Sequence, residues 1–306
     1  KTTALHNGVA IPMLGCGTAV FDDIGPNQTN RSAAYAGLIV QTAVNSGTRP
    51  LLIDMAAMYL NEEAIGIQLN KHLHASAEAS SAAMVVVTAD GYNPAEAPAA
   101  TVVGIAREDL FVCTKIAHFN VGDHQACPYV EDPSLDAYAG ATADIDGCIK
   151  RLGVGALDLC IIHWPARPDN TDEPLAISKR ADIWRALEDA YTAKKCRAIG
   201  VSNFSVKHLE QLEKTLKIQP MVNQLEIHPK WQEDELMQAC RDRGIHPMAY
   251  CPLGSGICSV LGTDVIKTIA AAHSTTPGAV VGAWHIQRGV TPVPKSTTPH
   301  RIVSNL

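Results

Sequence analysis

Three short apolar runs in this chain each stop at a residue that can hold a charge or a proton. Leu51-Leu52-Ile53 stops at Asp54, with Tyr59 five residues further on. Leu110-Phe111-Val112-Cys113-Thr114 stops at Lys115, and the run that starts at Leu157 stops at His163, with Trp164 and Pro165 following. Brought together, these four groups would have chemical sense. A lysine held by an aspartate is fixed in place and stays charged. Set near a phenol it favours the phenolate: one unit charge at about 4 Å in an effective dielectric near 20 is worth ~4 kcal/mol, or roughly 3 pKa units. Asp54 would offset part of that. A tyrosine starting near 10 is then expected to titrate at about 7 to 8, which suits a general acid or base. A neutral histidine could hydrogen-bond the reacting oxygen. Each residue also has a bland reading: Asp54 as a helix N-cap, Tyr59 as an amphipathic wall residue, Lys115 as a solvated rim charge, His163 as a core cap bonded to a carbonyl.

Only the surrounding elements can decide whether the four meet. The run Leu157–Trp164 is too short and too apolar for a typical helix and suits a strand buried on both faces of a parallel sheet. Strand-like runs begin near residues 13, 51, 110, 157, 198, 221, 246 and 290. Helix-compatible sequence separates them: Ser32–Ser46 closed by Gly47, Asn61–Leu73, Asp144–Leu152 closed by Gly153, a stripe through Ile183, Leu187, Ala190 and Tyr191, Leu209–Leu216, Glu233–Arg243, Val265–Ala272 and Ala279–Gln287. Eight alternations over about 300 residues favour an α/β (β/α)8 barrel over an open sheet. In such a barrel the C-terminal ends of neighbouring strands converge on one mouth, where active sites sit. Asn7-Gly8 between apolar residues signals an N-terminal β-hairpin that could cap the barrel's bottom. Gly15 and Gly17 near the end of the first strand lack the third glycine that opens a helix in a dinucleotide fingerprint, so that reading fails. A single barrel domain over residues 1–306 is expected, with two long insertions. Residues 74–106, rich in Ala and Ser, join a helix to a strand and belong at the bottom, as a surface extension or oligomer contact. Residues 116–140 follow a strand and belong over the mouth. His118, His124 and Cys127 in that segment invite a metal reading, but no second ligand cluster lies near them in sequence, and no metal is expected.

Composition narrows the class. The chain has 306 residues, 46% hydrophobic and 18% charged, which fits a globular protein with a large core. A net charge of −6 favours neither nucleic acid nor an anionic membrane as a partner. No apolar run is long enough for a membrane span, and no signal-peptide pattern stands at the start. Nine cysteines, scattered and without a Cys-x-x-Cys, read as free thiols in a reducing compartment, so a cytoplasmic protein is expected, acting as a monomer.

The strand ends also carry longer motifs. They are Ile53-Asp54-Met55-Ala56-Ala57-Met58-Tyr59-Leu60-Asn61-Glu62, Asp109 to Lys115, Lys150-Arg151-Leu152-Gly153 through Pro165, Gly200-Val201-Ser202-Asn203-Phe204, Asn223 to Pro229, Ala249-Tyr250-Cys251-Pro252-Leu253-Gly254, and Pro294-Lys295-Ser296 with Arg301-Ile302. In this order the sequence resembles the aldo-keto reductases over nearly the whole chain except the two insertions. The resemblance implies a reductase that uses a nicotinamide cofactor on an aldehyde or ketone, without a metal. Tyr59 would donate the proton, Lys115 and Asp54 would tune it, and His163 would orient the carbonyl. By similarity Ser202, Asn203 and Gln224 would bind the carboxamide, Tyr250 would stack on the nicotinamide, Leu253 and Ser255 would line the pyrophosphate, and Thr18 and Asp54 would lie near the ribose. Lys295, Ser296, Arg301 and Asn305 would hold the adenosine end, and Val20 and Trp164 would touch substrate.

The cofactor choice follows from charge. Lys295 and Arg301 flank Ser296-Thr297-Thr298-Pro299, where Thr298-Pro299 reads as N-cap and first residue of a helix. Two charge-assisted contacts of about 1.5–3 kcal/mol each would favour a 2′-phosphate by roughly 10²- to 10⁴-fold, so NADPH is expected over NADH. Departures from the family pattern widen the substrate expectation. Ala19 and Val20 stand where an aromatic residue is usual, Ala117 where Trp is usual, Cys251 in place of Ser and Ser304 in place of Glu. No counterpart of the family's C-terminal substrate loop lies before Leu306. A non-catalytic nucleotide-binding barrel is the main alternative, but a binder has no need of all four of Asp54, Tyr59, Lys115 and His163. A barrel hydrolase is the remote one.

Overall fold

The computed structural model describes residues 1–20, 28–75, 102–116, 136–165 and 173–306. His118, His124, Cys127 and most of both insertions lie outside them. Two short strands, β1 (Thr2–Ala4) and β2 (Ala10–Pro12), pair antiparallel. Eight parallel strands then follow in sequence order around one sheet: β3 (Gly15–Gly17), β4 (Leu51–Asp54), β5 (Leu110–Ile116), β6 (Leu159–Ile162), β7 (Ile199–Ser202), β8 (Val222–Glu226), β9 (His246–Tyr250) and β10 (Thr291–Pro292). Between them run α1 (Gln28–Asn45), α2 (Glu62–Leu73), α3 (Ala137–Leu152), α4 (Glu173–Thr192), α5 (Val206–Leu212), α6 (Asp234–Asp242), α7 (Asp264–Ala272) and α8 (Pro277–Gln287), and α9 (Pro299–Asn305) comes last. This is the expected (β/α)8 barrel with a hairpin at its N-terminus.

The strands are staves buried on both faces. All four residues of β6 are no more than 2% exposed, and β4 and β5 are buried throughout. That is why they read as continuous apolar runs. The seam between the first and last staves is the exception to regular pairing. There the backbone N–H of Gly17 donates to Pro294 O at 3.0 Å. A Cβ on Gly17 would lie 2.9 Å from Val293 O, so the glycine permits the close approach that brings the seam together. The glycines of this strand therefore serve closure.

The hairpin differs in detail from its sequence signal. Leu5 N donates to Val9 O and Gly8 N to Leu5 O, which makes a three-residue connection with Gly8 at φ +84°, a turn with a bulge instead of a two-residue turn at Asn7-Gly8. Asn7 accepts from Val9 N and donates to Arg197 O, and His6 approaches Gly244 O. Arg197 and Gly244 precede β7 and β9, so the hairpin lies against the bottom of the barrel. Helix α3 starts seven residues earlier than its apolar pattern suggested. Asp136 caps it by accepting from Ala139 N, and its Ala-rich first turns carry little periodicity.

Several histidines sit where only the neutral ring fits. Ser205 N donates to Nδ1 of His208 at 3.2 Å, and Gln68 meets one nitrogen of His72 while Val103 O takes the other. Burial, with nearby arginine and lysine charges, lowers His208 to about 4, and burial with Arg241 lowers His246 to about 4. Burial also lowers His72 and His163. Unfolding lets each take up a proton below its ordinary value, near 6.5. Between that pH and the depressed folded values the unfolded chain binds more protons, so stability falls as pH falls. We expect Tm to decline steadily from about pH 7 to about pH 5.5 in calorimetry.

Candidate active site

The residue types at the strand ends meet at the mouth of the barrel. Asp54 ends β4 and Lys115 is the penultimate residue of β5, and both are buried. The Lys115 ammonium donates to both Asp54 oxygens at 2.9 and 2.8 Å and to Met55 O at 2.7 Å. These acceptors, with the Tyr59 hydroxyl also within hydrogen-bonding reach, leave the group satisfied, which a buried charge requires. Burial pulls its pKa down, but Asp54, Tyr59 and Cys113 more than reverse this, and Lys115 stays charged above the ordinary lysine value. Gln224, from β8, donates its amide to Asp54 Oδ1 at 2.8 Å. The aspartate is thus held from two sides.

Tyr59 ends a tight turn, Ala57–Tyr59, that follows β4. Its ring lies 5.2 Å from the Lys115 ammonium and edge-on to His163, with centroids 5.8 Å apart. The expected phenol pKa of 7 to 8 does not hold for this protein. Burial raises Tyr59 above its ordinary value; the Lys115 charge and hydrogen bond oppose this, and Asp54 adds to the rise. Counting one cation without the lost solvation gave the wrong sign. His163 follows β6, is 7% exposed, and is pushed well below 6.5 by burial and then by Lys115. It is neutral at physiological pH. Trp164 stacks beside it at 6.2 Å and remains 39% exposed.

A cleft of 1020 Å³ runs from these strand ends to the first turns of α8 and α9. Of the residues singled out from sequence, Asp54, Tyr59, His163, Trp164, Asn203, Gln224, Tyr250, Leu253, Ser255, Lys295, Ser296, Arg301 and Asn305 line it. Four do not. Lys115 lies beneath the wall. Thr18 is buried and donates its hydroxyl to Asp54 O, and Ser202 is buried and donates to Gln224 O. Val20 is 2% exposed and off the wall, with Ala19 on it instead. Sequence reasoning missed Met58, Ser259, Thr276 and His300 as wall residues. Only Thr276 had a readable signal, the same cap-then-proline pattern as Thr298-Pro299.

The wall is built from backbone that ordinary residues avoid. Asn203, Cys251, Ser255 and Ser259 all take positive φ, between 45° and 63°, as does Leu60 just behind Tyr59. Asn203 is held in this state by its side chain, which donates to His163 O and Ser202 Oγ and accepts from the Tyr250 hydroxyl at 2.9 Å. Gln224 Oε1, by contrast, is buried with no partner among the described residues. A nicotinamide carboxamide offers the N–H donor this oxygen lacks, and Lys295 and Arg301 offer cations for phosphate on the same wall. The residues present therefore fit a nicotinamide dinucleotide.

Comparison with known proteins agrees. The model of the aldo/keto reductase family matches residues 13–306. The chain is 34% identical over 304 residues to glyoxal reductase of Bacillus subtilis, covering 99% of this chain and 85% of that protein. It is 31% identical over 325 residues to glycerol 2-dehydrogenase (NADP(+)) of Saccharomyces cerevisiae, covering 100% and 85%. Among solved structures, an aldo/keto reductase from Brucella melitensis superposes with a TM-score of 0.72 at 29% identity, covering 100% of this chain and 91% of that one. A Gox0644 variant in complex with NADPH superposes at 0.71 with 27% identity, covering 100% and 86%. With its barrel, its four converging groups and these likenesses, the chain belongs to the aldo/keto reductase family of oxidoreductases.

Proposed function

We propose that this protein reduces the carbonyl of aldehydes or ketones to the alcohol, using NADPH. The observation that carries this reading is Tyr59 in the cleft wall, flanked by a charged Lys115 and a neutral His163. NADPH bound along the cleft would supply the hydride. His163 donates a hydrogen bond from its neutral ring to the carbonyl oxygen and aligns it. Tyr59, protonated at neutral pH because its pKa is raised, gives its proton to that oxygen as negative charge develops there. Lys115 then stabilises the phenolate left behind, and Asp54 keeps Lys115 in place. Asn203 and Gln224 take the carboxamide, Tyr250 stacks on the ring, and Lys295, Ser296, Arg301 and Asn305 hold the phosphorylated adenosine.

Tyr59→Phe keeps the ring and removes the proton. Turnover of a reactive aldehyde, followed by NADPH absorbance, should fall about 10²- to 10⁴-fold while NADPH still binds. Full turnover would remove Tyr59 as the acid. A wild-type protein that binds NADPH but reduces none of a panel of sugar, aromatic, dicarbonyl and lipid-derived carbonyls would favour a nucleotide-binding role.

With Tyr59 raised and His163 lowered, both hold their working protonation states through the neutral range. The profile of kcat/KM against pH should be flat from about pH 6 to pH 8 and fall only on the alkaline side, as Tyr59 loses its proton. An acidic limb near 6.5 would mean that His163 titrates.

Lys295 and Arg301 are both exposed, so solvent screens them and the lower end of their expected effect applies. Replacing both by alanine should reduce the preference for NADPH over NADH about 10²-fold, read as the ratio of kcat/KM values. Equal use of the two cofactors by the unaltered protein would refute the preference.

A further inference from the structure

Asn61 follows the tyrosine turn and stands at the N-cap of α2, where an asparagine ordinarily accepts from the helix's own free N–H groups. It does not do so here. No side-chain cap bond forms, and the amide is turned to partners outside the helix. Asn61 Nδ2 donates to Thr18 O at 3.0 Å and to Ser32 Oγ at 3.3 Å. Ser32 in turn donates its hydroxyl to the backbone carbonyl of Tyr59 at 3.2 Å. Thr18 closes the circuit: its N–H and hydroxyl both donate to Asp54 O, at 3.1 and 3.0 Å. One chain of hydrogen bonds thus runs from the backbone of Asp54 to the backbone of Tyr59 through three side chains outside the cleft.

The cost of this arrangement identifies its purpose. Asn61 is 1% exposed, and its Oδ1 has no hydrogen-bond partner among the described residues. Turning the amide over would not help, since it would face one carbonyl oxygen with another. An alanine or leucine here would avoid the unsatisfied oxygen, so the amide donor is what the position uses. The segment it holds needs holding. Leu60, between Tyr59 and Asn61, is a non-glycine residue at φ +56°. Such a conformation persists only where neighbouring contacts impose it. On the other flank Glu62 is tied to Thr114, next to Lys115, and to Arg151 of α3. The turn is therefore fastened to both the aspartate strand and the lysine strand.

We propose that Asn61, acting through Ser32, is a positioning residue that sets the distance between the Tyr59 hydroxyl and Lys115. This rests on Tyr59 being the proton donor. Displacing a reacting group by about 1 Å costs on the order of 10²-fold. Asn61→Ala should lower kcat about 10- to 100-fold and leave the NADPH Kd within about twofold. Ser32→Ala, a smaller change that should fold readily, should lower kcat about 3- to 10-fold, while Ser32→Thr, which keeps the hydroxyl, restores it. In the protein without cofactor, tyrosinate absorbance titrated against Tyr59→Phe isolates this one phenol. Its pKa should rise further in Asn61→Ala and Ser32→Ala, because the lowering influence of Lys115 weakens with distance. Unchanged kcat and unchanged Tyr59 titration in Ser32→Ala would overturn the proposal. So would an Asn61→Ala protein that loses only Tm. If Tyr59→Phe itself keeps full turnover, the assignment of the acid fails first. If Tyr59→Phe is inactive and the two alanine variants behave as the parent, only the positioning role fails.

Discussion

A lysine ammonium 1% exposed inside a barrel is the constraint around which this structure is arranged. Removing a charge from water costs several kcal/mol even after relaxation, and only complete satisfaction of its hydrogen bonds makes that tolerable. Lys115 reaches this state because two neighbouring strands end together: β4 supplies both oxygens of Asp54 and the carbonyl of Met55 just beyond it. The parallel register that sets Asp54 beside Cys113 puts the lysine two residues further up its own strand, above the aspartate. Removing either partner would leave an uncompensated buried charge, a loss of about 3–5 kcal/mol. The pair is thus both a feature of the fold and the electrostatic floor of the cleft.

That floor explains why three groups of ordinary intrinsic acidity end in the protonation states that the proposed reaction would use. Lys115 is charged, His163 is neutral partly because Lys115 is near, and Tyr59 holds its proton because lost solvation outweighs the nearby cation. A phenol with a raised pKa is a weaker acid in the resting protein. In the proposed reaction it would also be loaded at neutral pH, and the stabilisation by Lys115 would be felt most as the phenolate forms. Interactions stronger in the transition state than in the ground state are those that accelerate a step.

Much of this was legible in the sequence, for identifiable reasons. Staves buried on both faces leave uninterrupted apolar runs, so β4, β5 and β6 and the residues that end them could be read directly. The motifs around them identified the family, and the family placed most of the cleft wall. Other features left weaker traces. The start of α3 was hidden because alanines carry no periodicity. The roles of Thr18 and Ser202 behind the wall could not be separated from positions on it, since strand alternation does not say how deep a side chain sits. The direction of the Tyr59 shift depends on solvation, which no residue pattern displays. The sequence pattern put Asn61 at the start of a helix and carried nothing about the partners of its amide. Its side-chain direction is a three-dimensional fact.

The seam at Gly17 also bears on how the chain acquires its shape. The bond from Gly17 to Pro294 joins the first stave to the last, across nearly the full length of the chain. Contacts of such long sequence separation are slow to form, because the entropy of closing the loop is lost before any packing rewards it. During synthesis β3 therefore keeps an unpaired edge until Pro294, far along the chain, has emerged. Open strand edges are where partly folded chains associate wrongly. The residue that lets the barrel close is made long before the partner it must meet.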